Sequence, residues 1–444
     1  MTLLENSAIA STRHLGVSSR WFRWARLVLI GLLVCAPLAF GSVEPWGWGG
    51  MALLAVGALL VWAAGSVRNR VLVIAWSWLL LPGVVLLGFV LLQLAARWTV
   101  DPASTSSAAL KLTICLLIFF LTTQLYHAAF ESVWERWGLS VLIYASLLGL
   151  FAILQFFSAP GSLYWLGPSP NVNFGPYVNR DHFAGLFEML VPIAGAYYIA
   201  VGRTSRLSLL WGFGLLIAVA ALLFAGSRGG LLALIAELLV LIVIIMVRTR
   251  ERRRVGLLCG AAGLFLGAVA FLLLLAPSEL PARLATVIRF RDTAVTGDRP
   301  KVARDTLRIF RDHLARGTGL GTFEAVYPQY QSFVTDKTWN YAHNEYAQLL
   351  AETGAVGGIL GLLSLIIFLR EAFWSRLRSG LSGTEAWIQL GAALGCCGIL
   401  VHSFVDFNLH IPANAAWFSA CAALATVPVS VEKVRKADSS LRSG

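Results

Sequence analysis

Apolar stretches long enough to cross a bilayer recur along almost the whole chain, a pattern that soluble folds do not accommodate. A membrane-spanning helix needs roughly 17–25 predominantly apolar residues. Such stretches lie near residues 27–42, 48–65, 71–95, 108–126, 136–157, 182–201, 207–225, 230–247, 255–275, 344–369, 384–401 and 411–428. Hydrophobic residues make up 58% of the 444 and charged residues only 13%, whereas soluble domains carry about 25% charged residues. The expected fold is therefore all-α: a polytopic membrane protein of about twelve transmembrane helices, with one long loop containing an amphipathic helix.

Charge orients these spans. With the N-terminus in the cytoplasm, Arg68 and Arg70, Arg203 and Arg206, Arg248 to Arg254, and Arg370, Arg376 and Arg378 all fall on inward-facing loops. That bias follows the positive-inside rule and puts both termini in the cytoplasm. The organisation then reads as a cytoplasmic segment 1–26, transmembrane helices one to nine over 27–275, an outer loop 276–342, helices ten to twelve over 343–430, and a tail 431–444. The first apolar run lacks a small-residue cleavage site near its end and reads as an uncleaved span. The net charge of +12 reflects cytoplasmic loops, so no nucleic acid partner is expected. Cys35, Cys115, Cys259, Cys396, Cys397 and Cys421 all sit in apolar segments without CxxC or Cys/His spacing. They read as small buried hydrophobes, with neither a disulfide framework nor a zinc site.

The outer loop departs from the charge rule, since it is rich in Arg and Lys. Long loops translocate largely regardless of charge, but so basic a loop asks for an anionic partner. Residues 300–315 read as an amphipathic helix. Val302, Thr306, Ile309, Phe310 and His313 recur along one side, and Lys301, Arg304, Arg308 and Arg311 along another. The plainer alternative is a surface helix whose arginines are solvated, pair with Asp305 and Asp312, or touch lipid phosphates. Arg228 is the one charge in LFAGSRGGLLAL, residues 223–234. It either snorkels to headgroups or serves a site.

Further polar groups gather on the same face. Asn179, Arg180, Asp181 and His182 open the sixth span, with Glu188 deeper inside. His402, Asp406, Asn408 and His410 lie between the last two spans. In YAHNEYAQLLAETGAVGG, residues 341–358, Asn344 suits a helix cap. Glu345, Gln348 and Glu352 share one helical face, either as a packed polar seam or as part of a site. His343 stands at the mouth. An imidazole there can accept a proton from a hydroxyl near neutral pH, and arginines can hold a diphosphate in bidentate fashion. A base beside a phosphate clamp suits glycosyl transfer from a lipid-diphosphate sugar.

Four segments together resemble the bacterial O-antigen ligase/polymerase superfamily: SRGG at 227–230, GDRPKVARDTLRIF at 297–310, GTGLGTFEAVYPQY at 317–330 and HNEYAQLLAETGAVGG at 343–358. HSFVDFNLHIPANA at 402–415 is similar to the C-terminal spans of exopolysaccharide-cluster members. The O-antigen ligase-related region runs over about 170–420. The resemblance implies a metal-independent, inverting glycosyltransferase without a cofactor, at the periplasmic face of the bacterial inner membrane. Its donor would be an undecaprenyl-diphosphate-linked glycan. By match to the motifs, His343 would be the catalytic base, and Arg228 and Arg299 would bind the donor diphosphate. Arg304 and Arg308, along the same helix as Arg299, would be supporting candidates for the diphosphate. Asn344, Glu345, Asn179, Arg180 and Asp406 would support the site.

Three acceptors stay open: another lipid-linked glycan for a polymerase, lipid A core for a ligase, and a protein hydroxyl for an O-oligosaccharyltransferase. The contrasting class is a non-enzymatic lipid or glycan transporter gripping membrane lipids. Transporters favour internal repeats and helices broken at mid-bilayer, whereas this chain has no evident repeat and its polar groups collect at one face.

Overall fold

A computed structural model describes residues 20–70, 72, 74–127, 129–167, 173–249, 251–275, 297–374 and 383–427. Among them the chain is helical throughout, without a strand. The membrane helices are α1 (Arg20–Leu38), α2 (Pro45–Arg68), α3 (Leu80–Ala95), α4 (Pro102–Tyr126), α5 (Glu131–Ser158) and α6 (Arg180–Ala200). They continue with α7 (Ser208–Ala225), α8 (Arg228–Arg248) and α9 (Glu251–Leu275). The amphipathic α10 (Asp298–Asp312) follows, then α11 (Glu345–Leu369), α12 (Gly383–His402) and α13 (Pro412–Thr426). Each expected span has its helix, and among the described residues 10 helices are long and apolar enough to cross a membrane. The protein is an all-α polytopic membrane protein.

The two exceptions, α3 and α13, are short for physical reasons. The span expected from residue 71 becomes helical only at Leu80. The Gln124 side chain takes both backbone groups of Ala75, accepting its N–H at 2.8 Å and donating to its carbonyl at 2.9 Å. An extended segment is thereby satisfied without helix, as a buried backbone requires. α13 has 15 residues and lies inside the bundle, packed on α1, α4, α6 and α12, so lipid need not cover its full length.

α6 and α12 form the centre. Gly391 and Gly395 let their backbones meet: a Cβ at Gly391 would lie 2.6 Å from the Pro192 carbonyl oxygen, and one at Gly395 2.7 Å from Met189 Cα. Small residues bring membrane helices together in this way because lipid supplies no hydrophobic drive between them. Leucines and valines such as Leu209, Leu274 and Val67 face outward. Cys396 and Cys421 are buried as expected, but Cys35 and Cys259 are exposed on the outside of the bundle, where lipid covers apolar groups.

The helix ends sort into two polar clusters. At one end, the Glu371 carboxylate accepts from Ser77, and Glu131 accepts from the N–H groups of Thr384 and Glu385 that open α12. At the other end the loop before α11 meets the loop after α3, through Val100 N–H to the Thr318 carbonyl at 2.9 Å, and the loop after α12, through His343 and Asp406. This sorting is what alternating up-and-down spans produce.

α10 buries Val302, Thr306 and Ile309, three of the positions expected on its apolar side. Asp305 is buried with them and accepts from Ser332 N–H and Oγ, both at 3.0 Å. The expectations for residues 1–19, 276–296, 375–382 and 428–444 lie outside the described residues.

Candidate active site at one end of the bundle

His343 precedes α11. Asn344 caps that helix, accepting the Ala347 N–H at 2.9 Å, as the sequence led us to expect. His343 itself adopts φ +49°, a left-handed conformation uncommon outside glycine. Backbone strain of this kind is retained where surrounding contacts enforce it, often at functional sites. Here the contact is with Asp406: His343 Nδ1 lies 2.9 Å from Asp406 Oδ1. The Asp406 side chain is fully buried, while that of His343 is 16% exposed.

With Nδ1–H donating to the carboxylate, Nε2 carries the lone pair. That is the tautomer a general base needs. Aromatic rings hold the imidazole from two sides. Phe407 meets it edge-on at 4.7 Å and Trp339 at 5.5 Å. Phe407 also stacks on Tyr341 at 4.4 Å.

Arg299 reaches the same carboxylate from the first turn of α10. Its Nη1 is 4.0 Å from Asp406 Oδ2 and donates to the Val405 carbonyl at 3.1 Å, while Nη2 donates to Asp181 at 3.4 Å. Burial opposes ionisation of Asp406, but the His343 hydrogen bond and the Arg299 charge outweigh it and hold the carboxyl well below the usual carboxylate range. The Arg299 side chain stays 43% exposed, so an incoming anion has access to it. Imidazole and guanidinium thus share one buried anion.

The other expected residues divide. Asn179 caps α6 by accepting the Asp181 N–H at 2.9 Å, which places Asp181 under Arg299. Arg180 is half-buried at the first position of α6. Arg228 opens α8 and is half-buried, one residue before Gly229, whose Cα faces the His402 ring. Arg308 is bound to Asp305 at 3.1 Å, and Arg304 points outward. Neither makes a hydrogen bond or ion pair with His343 or Asp406 among the described residues. Arg311 pairs with Asp312 at 3.6 Å. The plainer reading of the α10 arginines therefore describes Arg308 and Arg311 well.

The face formed by Glu345, Gln348 and Glu352 finds internal partners for its side chains. Glu345 accepts the Leu409 N–H at 2.7 Å and lies 2.8 Å from His410 Nδ1. Gln348 accepts the Ala342 N–H at 2.9 Å and donates to Glu352 at 3.1 Å. Glu352 in turn accepts the N–H groups of Gly321 and Phe323 at 2.8 and 3.1 Å. The glycine-rich turn therefore cradles an internal carboxylate with its amides. Among the described residues no group of three or more His, Cys, Asp or Glu suits a metal ion.

Two features escaped the sequence reading. Glu188 and His402 form a second buried His–carboxylate pair, Oε1 to Nδ1, at 2.7 Å. Glu237 is 3% exposed in α8, packed against Gly398. Its only signal was a lone carboxylate inside a long apolar run.

The family model for O-Antigen ligase matches residues 213–362, which span Arg228, Arg299, the glycine-rich turn and His343. The chain is also 24% identical over 350 residues to the teichuronic acid biosynthesis protein TuaE of Bacillus subtilis (strain 168), covering 73% of this chain and 68% of that protein. The fold is that of a multi-pass membrane protein, and its matches are to proteins of bacterial polysaccharide biosynthesis. Both matches agree with the resemblance to the O-antigen ligase/polymerase superfamily carried by the sequence motifs.

Proposed function

We propose that the protein transfers or polymerises glycan from an undecaprenyl-diphosphate-linked donor at the periplasmic face, as an inverting glycosyltransferase that works without a metal. One observation carries the reading: His343 and Arg299 meet on the buried Asp406 carboxylate. Asp406 orients the imidazole and leaves Nε2 to take the acceptor's proton. The acceptor oxygen forms its bond to the anomeric carbon as the bond from that carbon to the diphosphate oxygen breaks. The electron pair leaves on the lipid diphosphate, and attack from the opposite side inverts the centre.

Negative charge grows on the leaving diphosphate, and fixed guanidinium groups stabilise it most strongly in a partly dry site. Arg299 and Arg228 are assigned to it. Arg299 would exchange its 3.4 Å contact with Asp181 for the diphosphate. The basic α10 would meet an anionic headgroup, and a membrane protein suits a polyprenyl-linked donor. A glycan acceptor is favoured, since the relative TuaE carries the name of a polysaccharide biosynthesis protein.

The test reconstitutes the purified protein in liposomes with a lipid-linked oligosaccharide and follows the product. Elongated glycan with inverted anomeric configuration by NMR, formed in the presence of a chelator and lost in His343→Gln, is the expected result. Retained configuration, or undiminished transfer by His343→Gln, rejects the mechanism. Labelling of a Lys337→Cys variant by an impermeant maleimide in intact spheroplasts tests the face: absence of labelling there places the site on the wrong side.

A further inference from the structure

We infer that the buried His402–Glu188 pair is a positioning unit for the site, setting Arg228 in register with the His343–Asp406 pair. The inference rests on the assignment of Arg228 to the donor diphosphate. Arg228 belongs to α8, Asp406 to the loop after α12, and His343 to the loop before α11. Something must fix their separation, and His402 touches both sides of it.

On one side, the His402 carbonyl accepts the N–H groups of Val405 and Asp406, at 2.9 and 3.1 Å. It thereby closes the turn that presents Asp406 to His343 and the Val405 carbonyl to Arg299. On the other side, the His402 ring lies against the first turn of α8. A Cβ on Gly229, the residue after Arg228, would run into that ring. A Cβ on Gly230 would lie 3.2 Å from Glu188 Oε1 and 2.9 Å from the Ala184 methyl.

The start of α8 therefore rests on the imidazole and its carboxylate partner, backbone against side chain, and the Ser227 cap fixes its direction by accepting the Gly230 N–H at 3.2 Å. Glu188 holds the ring orientation through Nδ1 at 2.7 Å. Both side chains are essentially inaccessible, at 1% and 0%, so they act through their neighbours and not on substrate. Ionisable groups are costly within membrane helices and concentrate where function requires them. Plain helix packing at this point needs no polar pair.

The test measures donor KM and kcat in liposomes for Arg228→Lys, Gly229→Ala, His402→Gln and Glu188→Gln, and for the double variant Arg228→Lys/Gly229→Ala. Arg228→Lys is expected to raise donor KM about tenfold, as loss of a bidentate charged contact does. Gly229→Ala and His402→Gln displace the start of α8 and are expected to raise donor KM to a similar degree. Glu188→Gln keeps an acceptor for Nδ1–H and should raise donor KM less than Glu188→Ala, which removes that acceptor. Because the variants act through one contact, the double variant should be little worse than the worse single one, a coupling that independent sites do not show.

Parent-like donor KM in Gly229→Ala or His402→Gln overturns the positioning role, and so do additive losses in the double variant. If a variant does not insert, the decision falls on Glu188→Gln: activity as poor as that of Glu188→Ala, with both proteins folded, also overturns it. An unchanged donor KM in Arg228→Lys instead removes the assignment of Arg228 itself, which separates the two failures.

Discussion

The imidazole of His343 and the carboxylate of Asp406 meet at 2.9 Å across two loops that flank different membrane helices, with the acid wholly buried and the base partly open. The asymmetry fits the proposed mechanism, in which the open partner is the one that reaches an acceptor. Asp406→Asn puts an amide under Nδ1. Either it donates and forces the proton onto Nε2, or it accepts without charge. Both weaken the base, and a loss of about 10²-fold or more in kcat is expected, within the range general bases contribute. His343→Gln should lose about as much, and the double variant little beyond that, because the two groups act as one unit. Initial rates with a labelled lipid-linked donor decide it. Independent, multiplicative losses dissociate the pair.

Asp406 also makes stability depend on pH. Its carboxyl sits well below the usual carboxylate range, since the His343 hydrogen bond and Arg299 outweigh the cost of burial. The unfolded chain restores an ordinary value near ~3.9. A depressed folded-state pKa stabilises fully above that unfolded value and loses its contribution as pH falls toward the folded one. Wild type should therefore exceed Asp406→Asn in thermal stability at neutral pH, and the gap should shrink below about pH 4. Detergent-solubilised protein scanned from neutral to acid pH tests this, and a gap that widens with acid contradicts it.

The sequence exposed the membrane class, the polar end and several of its residues, because apolar length, charge bias and helix caps are local properties. Asn344 and Asn179 cap the helices that their side chains suggest. Pairing was less legible. Asp406 read as one of four polar groups in its loop, and nothing local marks it as the partner of His343. Glu352 read as a residue on a helical face, yet its two amide donors come from the glycine-rich turn upstream. The start of α3 was misplaced because Gln124, on another helix, satisfies the backbone of Ala75. Glu237 was passed over because hydropathy averages a single carboxylate away.

Two glycines hold the turn to α11 and should not tolerate a side chain. Gly354 has φ 64°, ψ −158°, a region essentially closed to other residues. A Cβ there would lie 2.7 Å from Ala315 C and Arg316 N. Gly317 has φ +69°, and a Cβ on it would strike the backbone of Glu352. Gly354→Ala should cost about 1–3 kcal/mol from backbone conformation alone, with steric displacement added. Its thermal midpoint should fall clearly below that of Gly361→Ala further along α11, whose φ is ordinary and whose nearest neighbour is the end of a leucine side chain at 3.2 Å. Equal midpoints contradict the close approach.

Arg299 separates binding from base chemistry. It donates to the Val405 carbonyl and to Asp181 while lying 4.0 Å from Asp406, so removing it outright disturbs the loop as well as the charge. Arg299→Lys is the cleaner probe, because it keeps the charge but not the planar fork that grips a diphosphate at two points. A charged hydrogen bond is worth about 1.5–3 kcal/mol, and about 1.4 kcal/mol corresponds to tenfold. Donor KM should therefore rise about tenfold or more, and kcat should fall too, since the diphosphate gains charge as it leaves. His343→Gln should reduce kcat with donor KM nearly unchanged, because the imidazole serves the acceptor hydroxyl. Saturation curves for the two variants, on the same lipid-linked donor, give the comparison. If Arg299→Lys alters only kcat, or His343→Gln mainly raises donor KM, the division of labour between guanidinium and imidazole is wrong.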